Sequence, residues 1–593
     1  MEKQTNKKYL GFSLGYDSSA CLLDSNDNIL KAISEERLTR IKNDKHFPMK
    51  AINFCLQDID KKDIEKVCYS NYERDSLETI LERSYFSLDE VKTIFNKTNN
   101  FDKFLKLLFK EKFDLDTSFH RTEHHQAHSI GSYVCSGFND DALLITSDGF
   151  GDGFSSTLNI IENGRIKRIE QFSNTSKNSI GLVYQYTTRA LGYKMHRDEW
   201  KLLGNEPKGN NKNERYYGFF RNLISYDFST HKIKVNIENF KQDKTKNKSI
   251  DDFDFMLSLQ DYISKNINLK EKNDVSACLQ RRIEEVACDW VGDITKYFGN
   301  KPLCLSGGVF MNVKLNNKLY DLNKNQPIYV LPFAGDLGTC IGSCYDYLFK
   351  DKPIETKKLT SLFLGTDIKD DVEKSFLEFN IKLKKVDDIA NEVSSILSQN
   401  KLINICLGKS EFGPRALMNR STLYTAEFTD VNEWLNEACN RDKIMPYAPV
   451  TIEDFENDLF LNAKNAEDST RNMTITLIAT NEYKKNYPAT SHKIINEDSM
   501  SARPQIVKIG DNPLAWDIIR KYHEKTGRKA IVNTSFNVHN SPIVNTTRDA
   551  IRTFIYMGVK DSYLLVENNL ISYEENKQNF DKLRETIRKE DFV

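Results

Sequence analysis

The chain has 593 residues, of which 84 are Lys or Arg and 85 are Asp or Glu, so its formal net charge is −1. This length exceeds what one hydrophobic core usually serves, and the 39% of hydrophobic residues excludes a fully disordered chain. The balanced charge argues against a uniformly basic surface for nucleic acid, although a local basic groove stays compatible with it. No run of about 18 apolar residues exists to span a membrane, and the 11 scattered cysteines show no CxxC spacing. We therefore expect a cytoplasmic protein of two or more domains, with reduced thiols and no membrane partner.

The first part of the chain alternates apolar strands with turns rich in Gly, Asp and Ser. Strands are predicted at 9–14, 20–23, 29–33, 142–146, 155–161, 302–305 and 328–332. Four junctions between strand and loop carry these turns, at 15–19, 148–153, 306–308 and 333–339. Such strand ends can hold a phosphate against backbone amides, and the alternative for each is an ordinary hairpin in a mixed sheet.

Three of the ten histidines fall within the sequence HHQAH at 124–128. If this segment is helical, His124 and His128 lie on one face at a spacing that lets two imidazoles share a metal. Asp148 and Asp336 lie in two of the Gly-rich turns, and two imidazoles with two carboxylates suit a divalent ion such as iron, zinc or manganese. The alternative is a hydrogen-bonded histidine cluster without a metal.

Polar segments and one change of pattern divide the chain. The stretches 208–215 and 242–252 are rich in Lys, Asn and Asp and are predicted as exposed loops. Charged residues and a proline interrupt the apolar pattern at 350–366, where we place the domain boundary. Beyond it, 386–397 has the pattern of an amphipathic helix and 402–407 that of a strand. No internal repeat is apparent in the sequence.

Three short motifs in the second part contain groups that could bind anions. Arg415 and Arg420, five residues apart in GKSEFGPRALMNRS, could clamp an anion, or form surface ion pairs instead. A strand at 530–532 is predicted to end at Asn533, in the sequence NTSFN. Those polar groups could hold a phosphate or an adenylate, or could form a turn closed by side-chain hydrogen bonds. Arg503 is uninformative by itself.

No Ser-His-Asp set, Walker A loop or Rossmann fingerprint is present. From the residues alone, the sequence predicts a two-domain protein that binds phosphate and metal and acts as an enzyme.

The order of these motifs resembles one family. GYDSS, HHQAH, SDG, SGGV, AGD, EFGPRAL with NRS, and NTSFN with PIV follow one another as in the nodulation-type O-carbamoyltransferases, which include the tobramycin and cephamycin carbamoyltransferases. The match runs from about residue 10 to residue 566. The resemblance implies an α/β protein with an N-terminal actin/hexokinase-like ATPase-fold domain, at 1–360. It also implies a C-terminal α/β domain like threonylcarbamoyl-adenylate synthase, at 361–593.

The resemblance further implies a reaction and its partners. Carbamoyl phosphate and ATP, the latter with Mg²⁺, form carbamoyl-adenylate, and the carbamoyl group then passes to an acceptor hydroxyl. The acceptor could be a small molecule, a sugar or polysaccharide, or a hydroxymethylated nucleobase, so a nucleic-acid acceptor is open although the net charge does not indicate one. A homodimer is likewise open.

By the same resemblance, residues of this chain take roles. The iron-type metal site, with Fe(II) as the first candidate, matches His124, His128, Asp148 and Asp336. The catalytic positions are Tyr16, Asp17, Arg415, Arg503 and Ser535, and the positions that bind nucleotide or carbamoyl phosphate are Gly307, Gly308, Asn312, Arg420, Arg441, Asn533 and Asn537.

Three residues depart from the family pattern. Tyr16 stands where the family usually has histidine, and Cys439 and Met445 replace a Lys and an Arg of a basic stretch that Lys443 could restore. An unperturbed tyrosine has a pKa of about 10, so at neutral pH it is protonated and acts mostly as a donor or a packing group. We therefore expect Tyr16 to orient the acceptor or the adenylate, and Asp17 or a metal-bound group to take the proton. The departures also keep open a non-catalytic nucleotide-binding regulator of the same fold. A sugar kinase of the same superfold is a weaker rival, because it would have no use for EFGPRAL and NTSFN.

Overall fold

The computed structural model describes residues 7–70, 101–139, 141–237, 252–323, 326–442, 444, 447–461, 463–495 and 498–590. The chain forms two compact units. The first comprises Met1–Glu35 and Asn43–Leu359, and the second comprises Glu36–Lys42 and Thr360–Val593. A segment from near the start of the chain is thus part of the second unit, which a single boundary in the sequence does not predict.

The first unit has thirteen strands in its described part. Strands β1–β13 are Lys8–Ser13, Ser19–Asp24, Ile29–Ser34, Ile64–Ser70, Ser118–Thr122, Leu143–Gly151, Phe154–Glu162, Arg165–Arg168, Asn174–Thr175, Ile224–Asp227, Lys232–Val235, Leu303–Ser306 and Ile328–Val330.

Two sheets of the first unit share one topology. The first has the order β3-β2-β1-β4-β5, and the second has β8-β7-β6-β12-β13 with β9 beside β7. In each, the central strand pairs antiparallel with the strand that follows it and parallel with the fourth strand of the set. This duplicated α/β sheet is the architecture expected of an actin/hexokinase-like ATPase fold. The repeat lies in the strand order and leaves no visible trace in the sequence.

Helices pack around these sheets. Helix α1 (Glu35–Thr39) crosses from the first unit into the second. Helices α2–α11 of the first unit are Met49–Leu56, Phe101–Phe113, His124–Ser136, Ile180–Ala190, Trp200–Asn205, Glu214–Leu223, Asp252–Asn266, Lys272–Phe298, Val313–Leu322 and Thr339–Leu348.

The second unit is also mixed α/β. Strands β14–β27 are Phe363–Asp367, Lys384–Lys385, Ile403–Cys406, Lys409–Glu411, Arg420–Thr425, Ala448–Ile452, Phe460–Leu461, Leu477–Ala479, His492–Lys493, Met500–Ala502, Gln505–Val507, Ile531–Ser535, Tyr563–Val566 and Asn569–Ser572. Helices α12–α20 are Val372–Glu378, Ile389–Ser398, Val431–Ala438, Glu456–Leu459, Glu467–Arg471, Asn481–Asn486, Pro513–Thr526, Thr547–Met557 and Tyr573–Glu590.

One large sheet organises the second unit. Its order is β15-β27-β26-β16-β18-β25-β19-β24, and a four-stranded sheet, β20-β21-β23-β22, stands beside it. Two separate sets of buried apolar side chains, one around Phe554 and Val532 and one around Ile518 and Ile405, form its cores. No described helix of either unit is both long enough and apolar enough to cross a membrane.

Three predicted loops differ from the structure. The segment 148–153 is not a turn, because β6 continues to Gly151 through an irregularity in its pairing with β7, and the chain reverses at Asp152 and Gly153. Strand β25 likewise continues to Ser535, since Asn533 and Ser535 still pair with β18. The predicted loop 208–215 ends early, as Glu214 already begins α7. Most of the predicted loop 242–252 lies outside the described residues.

Candidate metal centre and anion site

Four residues that the sequence singled out come together in the first unit. His124 and His128 stand one turn apart on α4, Asp148 lies in β6, and Asp336 begins a short 3₁₀ helix, Asp336–Gly338. One ligand atom from each lies within 4.8 Å of all the others. Helix α4 begins here because the carboxylate of Glu123 accepts the N–H groups of His125 and Gln126, a side-chain N-cap.

The distances suit one small cation. His128 Nε2 lies 3.4 Å from Asp148 Oδ2 and 4.0 Å from Asp336 Oδ1. His124 Nε2 lies 3.9 Å and 3.8 Å from the same two oxygens. A cation at the centre of such a set would be within reach of all four side chains after small rotations.

Neighbouring groups orient the ligands. His128 Nδ1 is 3.0 Å from Ser306 Oγ, which leaves Nε2 facing the carboxylates. The backbone N–H of Gly308 donates to Asp148 Oδ2, and that of Gly149 donates to Asp148 Oδ1. Hydrogen bonds of this kind to ligand side chains are typical of metal sites, where they fix the orientation of the ring and the carboxylate.

The charges of the cluster are strongly coupled. Burial alone would lower the pKa of His124, but Asp148 and Asp336 outweigh it and raise that pKa to about 9. Burial alone would raise the pKa of Asp148, but its contacts with His124 and His128 hold that pKa well below its usual range. The cluster is therefore a concentrated set of interacting charges, as expected of residues that hold a cation.

Glycines allow this close packing. A Cβ at Gly151 would stand 2.2 Å from His124 Cδ2, and one at Gly15 would stand 2.7 Å from Asp336 Oδ2. Gly307 has φ +102°, a conformation that side chains rarely adopt, and a Cβ there would meet the Ser147 carbonyl at 2.2 Å. The glycines of the predicted turns thus admit the ligands.

Two imidazoles and two carboxylates in a half-open, strongly charged cluster fit a divalent transition metal. His128 Nε2 supports this, because it is buried and makes no hydrogen bond to any described residue. Which metal binds there stays a prediction.

Tyr16 and Asp17 follow Gly15 directly and so begin beside the carboxylate of Asp336. The Tyr16 ring is 37% exposed and stacks on His196, with ring centroids 3.5 Å apart and planes within 9°. Asp17 Oδ1 accepts a hydrogen bond of 2.9 Å from Asn43 Nδ2. The stacking partner of Tyr16 could not be inferred from the sequence.

Asn312, predicted to bind a nucleotide, has structural contacts. Its Oδ1 accepts the N–H of Leu315 and so caps α10. The same side chain exchanges two hydrogen bonds with Gln280. A ligand would have to compete with these contacts.

In the second unit the predicted arginines separate into two groups. Arg415 and Arg503 are half-buried and make no hydrogen bond or ion pair with any other described residue. Desolvation lowers the pKa of Arg415 to about 10. Desolvation and then the charge of Arg415 lower the pKa of Arg503 well below its usual range. Two neighbouring cations without a counter-charge form a candidate anion site.

Arg420 does not belong to that pair. It is fully buried, and its guanidinium donates to the backbone carbonyls of Leu407, Gly408 and Asn419. The proposed clamp of Arg415 with Arg420 is therefore replaced by the pair Arg415 and Arg503. An arginine whose guanidinium donates to backbone carbonyls stabilises the loop that contains them instead of binding a ligand.

The NTSFN motif holds a third arginine. Arg441 Nη1 donates to Thr534 Oγ1, and Nη2 donates to the carbonyl of Ser535 and to Asn537 Oδ1. Ser535 Oγ in turn donates to Asn537 Oδ1 at 2.7 Å. The motif is thus the end of β25 and the turn that follows it, hydrogen-bonded around a guanidinium, so the turn alternative applies only beyond Ser535.

Asn533 connects the loops of the two unpaired arginines. Its Nδ2 donates to the carbonyl of Ala416 at 3.1 Å and to Gln505 Oε1 at 2.7 Å. Ala416 follows Arg415, and Gln505 lies two residues after Arg503, so one buried amide holds both segments.

Cys439 is buried in the apolar core, whereas Lys443 and Met445 lie outside the described residues.

Sequence reasoning missed Glu411. Its Oε1 accepts the backbone N–H groups of Leu417, Asn419 and Arg420, and so shapes the loop that contains Arg415. A glutamate two residues before the Gly413-Pro414 pair was the available signal, but the sequence does not show which amides it would bind.

Comparison with known proteins supports the family that the motifs resemble. A carbamoyltransferase N-terminus model matches residues 8–345, and a carbamoyltransferase C-terminus model matches residues 394–573. An uncharacterized protein of Methanocaldococcus jannaschii is 28% identical over 573 residues, which cover 95% of this chain and 99% of that protein. Nodulation protein NolNO of Sinorhizobium fredii is 27% identical over 553 residues, covering 90% of this chain and 76% of NolNO.

Solved structures align less closely. A ROK family glucokinase from Streptomyces griseus covers 57% of this chain and 98% of its own, with 13% identity and a TM-score of 0.27. Full-length HypF covers 58% of this chain and 55% of its own, with 16% identity and a TM-score of 0.27. At such scores these structures carry no argument, and the assignment rests on the family models, which span most of the chain. The chain belongs to the carbamoyltransferase family.

Proposed function

We propose that this carbamoyltransferase uses ATP and carbamoyl phosphate to make carbamoyl-adenylate, and transfers the carbamoyl group from it to an acceptor hydroxyl. The observation that carries the proposal is the pair Arg415 and Arg503, two half-buried cations with no counter-charge among the described residues. A phosphorylated substrate fits a site of this kind, because guanidinium groups bind phosphate oxygens through paired hydrogen bonds.

Activation would take place in the second unit. Arg415 and Arg503 bind the phosphate of carbamoyl phosphate, and water breaks the bond between that phosphorus and the carbamoyl oxygen, which gives phosphate and carbamate. A carbamate oxygen then attacks the α-phosphorus of ATP, and the bond from that phosphorus to pyrophosphate breaks. Carbamoyl-adenylate, pyrophosphate and phosphate are the products, and AMP becomes a good leaving group for the next step. Positioned cations lower the barrier because charge moves onto the pyrophosphate as the bond breaks.

Transfer would take place in the first unit. The acceptor oxygen attacks the carbamoyl carbon, the bond from that carbon to AMP breaks, and the hydroxyl proton passes to a base. We assign the base to Asp17, which Asn43 orients, and we assign acceptor positioning to Tyr16. A divalent ion held by His124, His128, Asp148 and Asp336 would supply positive charge for the adenylate phosphate.

Pyrophosphate release tests the activation step. Purified protein incubated with ATP and Mg²⁺ is expected to release pyrophosphate only when carbamoyl phosphate is added. Arg503→Ala should lose this release by roughly 100-fold or more, since one lost contact to developing charge costs about 3 kcal/mol. Arg528→Ala is a matched control, because Arg528 pairs with Glu427 instead of facing Arg415.

Each other result has a meaning. A wild-type protein that binds ATP but releases no pyrophosphate would be the non-catalytic regulator of the same fold. Equal release by wild type and Arg503→Ala would contradict the role of that arginine. Mass spectrometry of candidate hydroxyl compounds for the gain of one carbamoyl group would then identify the acceptor.

A further inference from the structure

A segment from the start of the chain contributes two arginines to the second unit. Glu36–Lys42 belongs to that unit although it precedes the rest of it by more than 300 residues. We call Glu36–Lys42 the inserted segment. Arg37 is almost completely buried, and its Nη2 donates to the carbonyl of Gly413 at 3.1 Å. Arg40 donates to the carbonyls of Pro542 and Ile543, at 2.8 Å each.

The carbonyl that Arg37 binds lies two residues before Arg415. Gly413 has φ +117°, so the chain turns there in a conformation that few other residues adopt. On the other side of Arg415, the carbonyl of Ala416 accepts a hydrogen bond from Asn533. Glu411 holds the three amides farther along the loop. Arg415 is therefore held on both sides, and Arg37 supplies the contact on its N-terminal side.

The energetics make this support necessary. Arg415 loses water without gaining a described partner, and Arg503 repels it. A cation in that situation tends to turn toward solvent unless the backbone beneath it is fixed. An arginine suits the task, because its planar fork remains charged and can bind a carbonyl in a fixed direction. Burial lowers the pKa of Arg37, and the charges of Glu36 and of Glu411, which lies in the same loop, oppose that shift.

We propose that Arg37 is a positioning residue, which holds Arg415 in its anion-binding position by binding the carbonyl of Gly413. This inference rests on the proposed anion site. It goes beyond that site, because it makes the inserted segment part of the activation machinery. Arg37 does not touch the ligand and acts through Arg415. Neither the motifs of the second unit nor a domain boundary near residue 360 indicates such a role.

The test is a double-mutant cycle read out by anion binding. Titration calorimetry with inorganic pyrophosphate measures the affinity of the full-length wild type, Arg37→Met, Arg415→Ala and the double variant. Arg37→Met is expected to weaken binding about tenfold, in the middle of the range for coupled contacting residues. In the Arg415→Ala background the same substitution should have no further effect. Arg37→Lys, which keeps one donor and the charge, should recover part of the affinity.

Two controls share the inserted segment. Lys42→Met should bind pyrophosphate as the wild type does, because Lys42 pairs only with the neighbouring Glu36 among the described residues. Arg40→Met removes an equally long arginine that binds a different loop. Any effect of Arg40→Met should therefore add to that of Arg415→Ala without coupling. Thermal unfolding shows whether each variant folds. If Arg37→Met does not fold, Arg37→Lys takes its place in the cycle.

The outcomes separate two failures. If the wild type does not bind pyrophosphate, the anion site is wrong and this inference falls with it. If the wild type and Arg37→Met bind equally well, the anion site stands and the role of Arg37 is wrong. The same conclusion follows if Arg37→Met weakens binding as much in the Arg415→Ala background as in the wild type, because Arg37 would then support the fold in general.

Discussion

Burial and hydrogen bonding determine which of the neighbouring histidines can act as ligands. His125 stands between two predicted ligands, yet its Nδ1 bonds Thr146 Oγ1 and its Nε2 bonds the carbonyl of Phe154. Burial and then the adjacent histidines hold the pKa of His125 well below its usual range, so it is a neutral structural residue. Helical spacing predicts the same distinction, since only His124 and His128 share a face.

At the scale of one residue, His128→Ala is expected to remove the metal. Wild-type protein should contain about one equivalent of a divalent ion, measured by elemental analysis, and the variant should contain almost none, because one of four ligands is lost. His120→Ala is the matched control, since His120 pairs with Asp346 outside the cluster and its loss should leave the metal content unchanged. Equal metal content in the wild type and His128→Ala would show that these residues form only a hydrogen-bonded cluster.

Removing the hydroxyl that orients a ligand should also lower the metal affinity, but by less than removing the ligand itself. Ser306 Oγ lies beside His128 Nδ1, and groups in this position typically change metal affinity by about 10- to 100-fold when they are removed. This contact joins the second sheet to α4 and explains why a serine ends β12. The SGG motif thus contributes to the metal cluster through its serine and through the amide of Gly308, although the sequence suggested a phosphate turn.

At the scale of elements, α4 is held by its crossing with α11. A Cβ at Gly342 would lie 2.0 Å from the carbonyl of Ala127, and a Cβ at Gly131 would lie 3.5 Å from the Gly342 Cα. Two helices approach this closely only where small residues line the contact. The crossing fixes the face of α4 on which His124 and His128 lie, so packing in the core sets the geometry of the cluster.

Substitution of Gly342 by alanine should therefore destabilise the first unit. The added methyl group cannot fit without displacing α4, and overpacking of this kind usually costs about 1–3 kcal/mol. Gly342→Ala should have a lower midpoint of thermal unfolding and, by elemental analysis, a lower metal content. Gly218→Ala on α7 is the control, because no described atom beyond its chain neighbours and its own helix backbone lies within 4 Å of its added Cβ, and alanine favours a helix by up to about 1 kcal/mol. A midpoint for Gly342→Ala at or above that of Gly218→Ala would contradict the packing argument.

Most strands could be predicted from the sequence because they are short apolar runs between turn residues. The predicted strand 20–23 lies within β2, and 155–161 lies within β7. The prediction was wrong where a strand continues through glycine and asparagine, as β6 and β25 do, since pairing with a neighbour overrides the turn preference of those residues. Long-range contacts determine which backbone carbonyls Arg420 reaches and bring Arg503 near Arg415. No local pattern in the sequence contains these contacts.

At the scale of the whole molecule, the two units have different means of binding charge. The first unit brings histidines and carboxylates together, and two loops of the second unit, after β17 and after β23, bring Arg415 and Arg503 together. The candidate ligands for a cation and the proposed ligands for an anion thus lie in separate units. This separation agrees with two chemical half-reactions, one of which requires a held phosphate and the other a held metal.

Loss of the candidate metal ligand His124 should therefore spare activation. With ATP and carbamoyl phosphate, His124→Ala is expected to release pyrophosphate at close to the wild-type initial rate, since Arg415 and Arg503 are intact in the second unit. Carbamoyl transfer to the acceptor should fall by roughly 100-fold or more, the size of effect expected when an electrostatic contact to the developing charge is lost.

Arg503→Ala is the complementary variant, because it changes the second unit and leaves the candidate metal ligands intact. That variant should lose pyrophosphate release and transfer together, because transfer needs the adenylate that activation supplies. Adding chemically prepared carbamoyl-adenylate should then restore transfer by Arg503→Ala but not by His124→Ala, and this contrast distinguishes the two units more sharply than either rate alone. If both variants lose pyrophosphate release to the same extent, or if added adenylate restores both, the half-reactions are not divided between the units as proposed.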